Sequence, residues 1–345
     1  MTPPFELGLD TFGERTVLPS GDLRSHAQSL RDVVEQAVLA DQVGLDFLGL
    51  GEHHRPDFTI SAPEVVLGAI AAKTRRLKLG TAVTVLSTDD PVRVFERFST
   101  LHAISDGRAE VLLGRGSFTE SFPLFGFDLR DYEMLFEEKL ELYAAVRAGG
   151  PVRWEGSHRP MLDVKGVYPP VEGGLLPTWI GVGGTPQSVV RAARYGFSLM
   201  LAIIGGEPAR FAPHVDLFEE ALKEYGHPRQ PVGVHAPGHV AETDEQAREE
   251  LWPHFLEQRA RIGRERGWPP PTRAQFDREA GPTGAVFVGS PETVAEKIVN
   301  TARTLRVSRF DLKYANGPMP HEQLMKSIEL IGTKVAPLVR ARLSG

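Results

Sequence analysis

The sequence predicts an α/β fold, a (β/α)8 barrel with insertions. Two observations carry that expectation. Short apolar runs alternate with segments of helical periodicity along the 345 residues, the order of a parallel α/β sheet. The runs can be counted to eight, the number that closes a barrel. The chain from 1 to 345 reads as one domain, interrupted at about 149–176 and 267–284.

Phe5 to Asp10 is a short apolar run entering a polar loop and reads as the first strand. From about Leu23 to Val43, Leu30, Val33, Val34, Ala37 and Val38 recur at helical spacing, and Gly44 stands where a helix ends. Asp46 to Leu50 is the second strand. Ala62 to Thr74 is the next helix, with Pro63 and Glu64 suited to its N-terminus. Leu77 to Val85 is the third strand, Pro91 to Ile104 a helix, Ala109 to Leu113 the fourth strand and Leu129 to Ala148 a long amphipathic helix.

The rhythm then breaks. Val152-Arg153-Trp154 and Met161-Leu162-Asp163-Val164 flank Glu155-Gly156-Ser157-His158, a surface hairpin insertion. Strands Thr178 to Val182, Phe197 to Ala202 and Val232 to Ala241 follow, alternating with helices Pro186 to Tyr195, Pro208 to Tyr225 and Glu245 to Arg266. Gly267 to Gly284, rich in Pro and Gly, is the second insertion. Helix Pro291 to Leu305, strand Arg309 to Tyr314 and helix His321 to Arg342 complete the count.

The composition, 41% hydrophobic and 24% charged, allows a large core. A net charge of -6 argues against a general nucleic-acid surface. The chain has no cysteine, which excludes disulfides, thiolate catalysis and Cys-ligated metals. Met1-Thr2-Pro3-Pro4 is not a basic region leading into an apolar core, so no secretory signal is expected. No apolar run is long enough to span a bilayer, and a cytoplasmic location is expected.

Barrels of this kind collect their chemistry just past the carboxyl ends of strands. Glu52-His53-His54 stands there, after the second strand. A histidine at that place serves either as a general acid or base or as a structural group bonding a loop carbonyl. A metal reading would need further ligands, and His235 and His239 share one face of the seventh strand. Gly183-Gly184-Thr185-Pro186 follows the fifth strand and opens a helix. It reads as a phosphate cradle or as a plain turn with Thr185 as N-cap. Arg115, between Gly114 and Gly116 after the fourth strand, is placed to pair with phosphate. Val83 to Leu86 with Phe12, Phe118 and Phe122 would make one side of the mouth apolar, a floor for a flat cofactor or ordinary core.

The segments Gly51-Glu52-His53-His54, Gly80-Thr81-Ala82-Val83-Thr84-Val85-Leu86 and Pro91-Val92-Arg93 resemble the bacterial luciferase-like, flavin-dependent monooxygenases. The resemblance continues through Ser105-Asp106-Gly107-Arg108, Leu113-Gly114-Arg115-Gly116, Phe125-Gly126, Val288-Gly289-Ser290-Pro291 and Ala315-Asn316-Gly317. It implies a (β/α)8 barrel, usually dimeric, with FMN as cofactor, supplied reduced by a separate NAD(P)H:flavin reductase. It implies that His54 is the catalytic histidine and Ala82-Val83 the flavin-contacting pair, joined by a non-prolyl cis bond. Arg115 would bind phosphate, with Gly183, Gly184 and Thr185 as its loop.

Luciferase proper has a cysteine where Gly114 stands, a glutamate-serine pair at Gly183-Gly184 and a tryptophan at Ala202, so the resemblance is to the wider family. The implied activity is oxidation of a small organic substrate with reduced flavin and O2. A deazaflavin-dependent hydride-transfer enzyme is the runner-up. A metal-dependent barrel hydrolase using His53 or His54 with His235 and His239, or a flavin-binding protein without catalysis, stands outside that reading. Helices 62–74 and 91–104 carry Val65, Val66, Ile70, Val94, Phe95 and Leu101, more apolar residue than one inward stripe requires. The resembling family pairs through this region, which implies a homodimer through these helices.

Overall fold

The computed structural model describes residues 4–344, so Met1 to Pro3 of the segment read for a leader lie outside the described residues. The chain opens with β1 (Glu6–Thr11), α1 (His26–Gln42), β2 (Phe47–Leu50), α2 (Pro63–Lys73), β3 (Lys78–Thr81), β4 (Thr84–Val85) and α3 (Pro91–Ile104). After β5 (Val111–Gly114) come α4 (Ser121–Leu124), α5 (Tyr132–Ala148), β6 (Val152–Trp154) and β7 (Leu162–Val164). β8 (Thr178–Val182), α6 (Pro186–Arg194), β9 (Ser198–Ala202), α7 (Ala212–Glu224), β10 (Val232–Val240) and α8 (Asp244–Arg266) follow. The last elements are α9 (Arg273–Glu279), β11 (Phe287–Gly289), α10 (Pro291–Leu305), β12 (Arg309–Lys313), α11 (His321–Leu330) and α12 (Ala336–Leu343).

The barrel strands run parallel in the order β3-β2-β1-β12-β10-β9-β8-β5-β4. β3 and β4 are two halves of the predicted run Leu77 to Val85, so the ring has eight strand positions, as expected. The predicted single strand is interrupted at Ala82 and Val83: its first half pairs with β2 and its second with β5. A parallel bridge between Leu79 and Ala109 brings the two ends of the sheet together. Leu7, Leu9, Leu79, Leu113, Phe310 and Leu312 are buried to 1% exposure or less between strands and helices. Each such side chain contributes roughly 1.5–3 kcal/mol over an exposed one.

Local chemistry sets the element ends. The Asp90 side chain accepts the N–H groups of Val92 and Arg93, and Pro91 fits the first turn of α3. Ser25 caps α1 through the Gln28 N–H. At the other end of α1, Asp41 accepts the N–H groups of Arg76 and Leu77 at 2.8 Å each and of Arg75 at 3.1 Å, so one carboxylate fixes the entry to β3.

The hairpin β6/β7 is antiparallel, with Arg153 opposite Asp163. Glu138 of α5 pins its loop by accepting the N–H groups of Ser157, His158 and Arg159. The second insertion contains a helix where none was expected. α9 starts with a reciprocal cap between Thr272 and Gln275, a signal hidden among prolines, and buries Phe276. β11 was not expected either: three residues, too short to show alternation, pair with the end of β10. The single terminal helix expected from His321 to Arg342 contains a π-helical turn at Ile331–Val335. There Gly332 lies so close to Val43 that a Cβ would come within 2.2 Å of it. No helix among the described residues is long and apolar enough to cross a membrane.

Candidate active site

A cavity of about 370 Å³ opens at the carboxyl ends of the strands. Pockets of that size hold small molecules or cofactors. One wall is formed by Ala82, Val83, Leu112, Gly114, Gly181 and Met200. The Ala82–Val83 peptide bond is cis, as the resemblance implied. The backbone around it is held on both sides. Ala82 donates to the Leu50 carbonyl at 2.9 Å, Glu52 N–H donates to the Val83 carbonyl at 3.3 Å, and Val85 N–H donates to Glu52 Oε2 at 2.9 Å. Gly114 makes room for this arrangement, since a Cβ there would lie 2.6 Å from Val83 Cγ2.

At one end of that wall lies a polar cluster. Arg115 lines the cavity, donates to Ser188 Oγ at 3.3 Å and pairs with Glu133 of α5. Arg191, on α6, also donates to Ser188 Oγ at 3.3 Å and pairs with Glu137. Thr185 Oγ1 bonds the same hydroxyl at 2.7 Å. Thr185 thus stands at the N-cap position of α6, but its side chain makes no cap hydrogen bond and turns to Ser188 instead. Gly183 lines the cavity, and a Cβ there would meet nothing within 4 Å. Gly184 has φ of 111°, a conformation only glycine takes without strain. Its carbonyl accepts from His214 Nε2 at 2.9 Å. Two guanidinium groups and two hydroxyls therefore converge beside a helix N-terminus, next to an apolar wall. Arg191 and Ser188 were not singled out from the sequence, because helical residues gave no strand-end signal.

These residues fit a phosphorylated flavin. The wall is apolar, there is open space at Gly183, and the donor set suits a phosphate.

The two histidines after β2 each face a carboxylate. His54 does not line the cavity; its Nε2 lies 3.0 Å from Glu52 Oε1 and its ring meets Phe125 edge-on. His53 is buried with Nδ1 at 3.3 Å from Glu120, packed against Phe12, Phe58 and Phe118 of the cavity wall. The resulting hydrogen bond draws the Glu120 carboxyl down, against the upward pull of its burial. His239 is paired with Glu250, and His235 with Asp10. Each of the four histidines thus has its own carboxylate, and of them only His235 lines the cavity. Among the described residues, Asp32, Glu35 and His321 come together in a metal-ligand spacing, away from the cavity. Asp32 there already accepts from Thr16, Arg24 and Gln28.

The cavity floor is polar, and of its residues only His235 is a candidate from the sequence, there as a metal ligand. Asp10, His235, Asp311, Lys313 and Asn316 line it. Below them Arg309, 2% exposed, bonds both oxygens of Asp311 at 2.9 Å, pairs with Glu110 and lies over the Phe47 ring. Burial pushes the Asp311 carboxyl up, and Arg309 opposes that shift. The signal was present in Arg309-Phe310-Asp311-Leu312-Lys313. Charge at every second position of a strand covered by helices must face the barrel interior.

Comparison with known proteins bears on the family and the fold. The family model described as luciferase-like monooxygenase matches residues 15–309. The alkanal monooxygenase alpha chain of Photorhabdus luminescens is 28% identical over 212 residues, 59% of this chain and 56% of that one. The matched segments span about half the length of the first curated relatives. Two solved structures share the fold. The oxygenating constituent of 3,6-diketocamphane monooxygenase from Pseudomonas putida, in complex with FMN, is 19% identical with a TM-score of 0.78, over 97% of this chain and 99% of that one. The coenzyme F420-dependent tetrahydromethanopterin reductase of Methanopyrus kandleri is 19% identical with a TM-score of 0.72, over 97% and 99%. With the barrel, its split third strand and a family match over most of its length, the chain belongs to the luciferase-like monooxygenase family.

Proposed function

We propose that this chain is an FMN-dependent oxidoreductase, a monooxygenase that uses reduced flavin and O2 on a small organic substrate. The observation that carries the reading is one cavity lined by Ala82, Val83, Arg115 and Gly183, with Ser188 and Thr185 bonded in turn behind Arg115. The FMN complex of the camphane enzyme supports the choice of cofactor.

When bound, the flavin supplies the redox chemistry. This chain's residues do the rest. Arg115 and Arg191, with the Gly183–Thr185 loop, would hold the phosphate. Ala82 and Val83 would back the ring, and Glu52 fixes their position through the Val85 N–H. Phe12, Phe58 and Phe118 keep water from the reacting end. His54, through its bond to Glu52, belongs to the support of that wall. A separate NAD(P)H:flavin reductase supplies the reduced cofactor, and the protein works in the cytoplasm as a homodimer.

The test is a paired titration of the protein with FMN and with a deazaflavin such as F420, read by cofactor fluorescence. FMN binding at least about tenfold tighter, equivalent to about 1.4 kcal/mol, supports the reading. Tighter deazaflavin binding overturns it in favour of hydride transfer, and binding of neither removes the flavin assignment.

A further inference from the structure

His235 is an inward residue of β10, and Asp10 is an inward residue of β1; β12 lies between the two strands. Their side chains meet across β12 inside the barrel, with His235 Nδ1 2.6 Å from Asp10 Oδ2. Asp10 is 1% exposed, and its other oxygen, Oδ1, is buried without a hydrogen-bond partner. Both residues line the cavity. A carboxylate can only accept, so the Nδ1–H of neutral His235 donates to Asp10 and the lone pair sits on Nε2. Nε2 has no hydrogen-bond partner among the described residues. Phe12 stacks on the ring at 6.1 Å between centroids with 13° between planes, which fixes its orientation.

We propose that His235, oriented by Asp10, is a proton-transfer site that takes the proton of a substrate hydroxyl in this cavity. The O–H bond breaks and an N–H bond forms at Nε2. No electrons change hands, and the imidazolium is compensated by the Asp10 carboxylate. The arrangement is that of a histidine base with a carboxylate behind it, which fixes both tautomer and direction. The inference rests on the reading of this cavity as an enzyme's and not on which flavin it holds.

Other groups facing the dyad are few. β12 contributes Asp311 and Lys313, Lys313 already paired with Glu14 and the Ala315 carbonyl. α8 contributes Arg259, which donates to the Ile204 carbonyl at 2.6 Å. β9 contributes only Met200 and Ala202, which do not titrate. Asp10 is thus the one carboxylate bonded to the ring. A structural tie between β1 and β10 would use the same bond, but it would require neither a cavity position nor an accessible Nε2.

The test is 15N NMR of the histidine rings in the full-length protein, with and without FMN, the His235 signals assigned by their loss in His235→Gln. The expected result is an Nδ1–H tautomer of the neutral ring, with Nε2 free to accept. In Asp10→Asn the ring shifts towards the Nε2–H tautomer, because the amide can donate to Nδ1. An Nε2–H tautomer in the wild type, or a tautomer unchanged in Asp10→Asn, overturns the proposal. If His235→Gln does not fold, the signals are assigned from Asp10→Asn, whose change is confined to the same ring. FMN affinity, measured in the same samples, reports on the cofactor reading separately: its failure in the wild-type protein leaves the tautomer result standing.

Discussion

His54 Nε2 lies 3.0 Å from Glu52 Oε1, and the other oxygen of that carboxylate accepts the Val85 N–H at 2.9 Å. The histidine that the resemblance implies to be catalytic thus shares a carboxylate with the backbone beside the Ala82–Val83 pair. Glu52→Ala leaves the buried Val85 N–H without an acceptor, a loss of about 1–3 kcal/mol in unfolding free energy. His54→Asn removes only the outer bond and should weaken FMN binding by roughly two- to tenfold. A direct proton-transfer role would instead leave FMN binding intact and slow turnover by about 10²–10⁴-fold. Parallel FMN titration and denaturant unfolding of the two variants distinguish these outcomes.

Glu133 competes for the site proposed to hold phosphate. Its carboxylate pairs with Arg115 and Arg191, and its side chain is mostly exposed. Glu133→Gln should strengthen FMN binding by about two- to fivefold and leave riboflavin binding unchanged, as expected for losing an exposed ion pair. Weaker FMN binding in the variant would show that Glu133 orients Arg115 rather than competing for it.

Asp41 gives the pH dependence of stability a definite sign. Burial alone would raise its carboxyl, but the backbone donors of Arg76, Leu77 and Arg75 outweigh it and hold the group below its ordinary value of 3.8. A carboxyl depressed by folding stabilises the protein above the unfolded value and loses that contribution as pH falls through the folded one. The stability gap between wild type and Asp41→Asn should therefore be full near about pH 6 and narrow towards about pH 3. Urea unfolding at both values checks it; a gap that widens on acidification contradicts the assignment.

The dimer proposal now rests on a smaller surface than the sequence implied. Ile70, Val94, Phe95 and Leu101 are buried in the chain's own core, while Val65 is 74% exposed. Wild-type protein at micromolar concentration should scatter light as a dimer, and Val65→Glu should shift it towards monomer. A monomeric wild type removes the proposal.

The alternation of strands and helices was legible because each strand's outer residues, such as Leu79 and Phe310, face helices and must be apolar. Arg115, Gly183 and the Ala82–Val83 pair were legible because strand ends are where such barrels place function, and all four residues meet at the cavity. The Asp10–His235 pair was not. Its partners are 225 residues apart, and neither forms a local motif. Seeing it requires knowing that β1 and β10 both flank β12. The split of the third strand was equally invisible to periodicity, since Ala82 and Val83 continue its apolar run.

Arg115 is proposed to bind the phosphate of a flavin that would lie against Ala82 and Val83. The most direct measurement is the affinity of wild type and Arg115→Ala for FMN and for riboflavin, which lacks the phosphate. A charge-assisted pair contributes about 1.5–3 kcal/mol, so Arg115→Ala should weaken FMN binding by roughly 10- to 150-fold. Riboflavin binding should change by less than about twofold. Equal losses for both ligands, or none for FMN, would contradict the account.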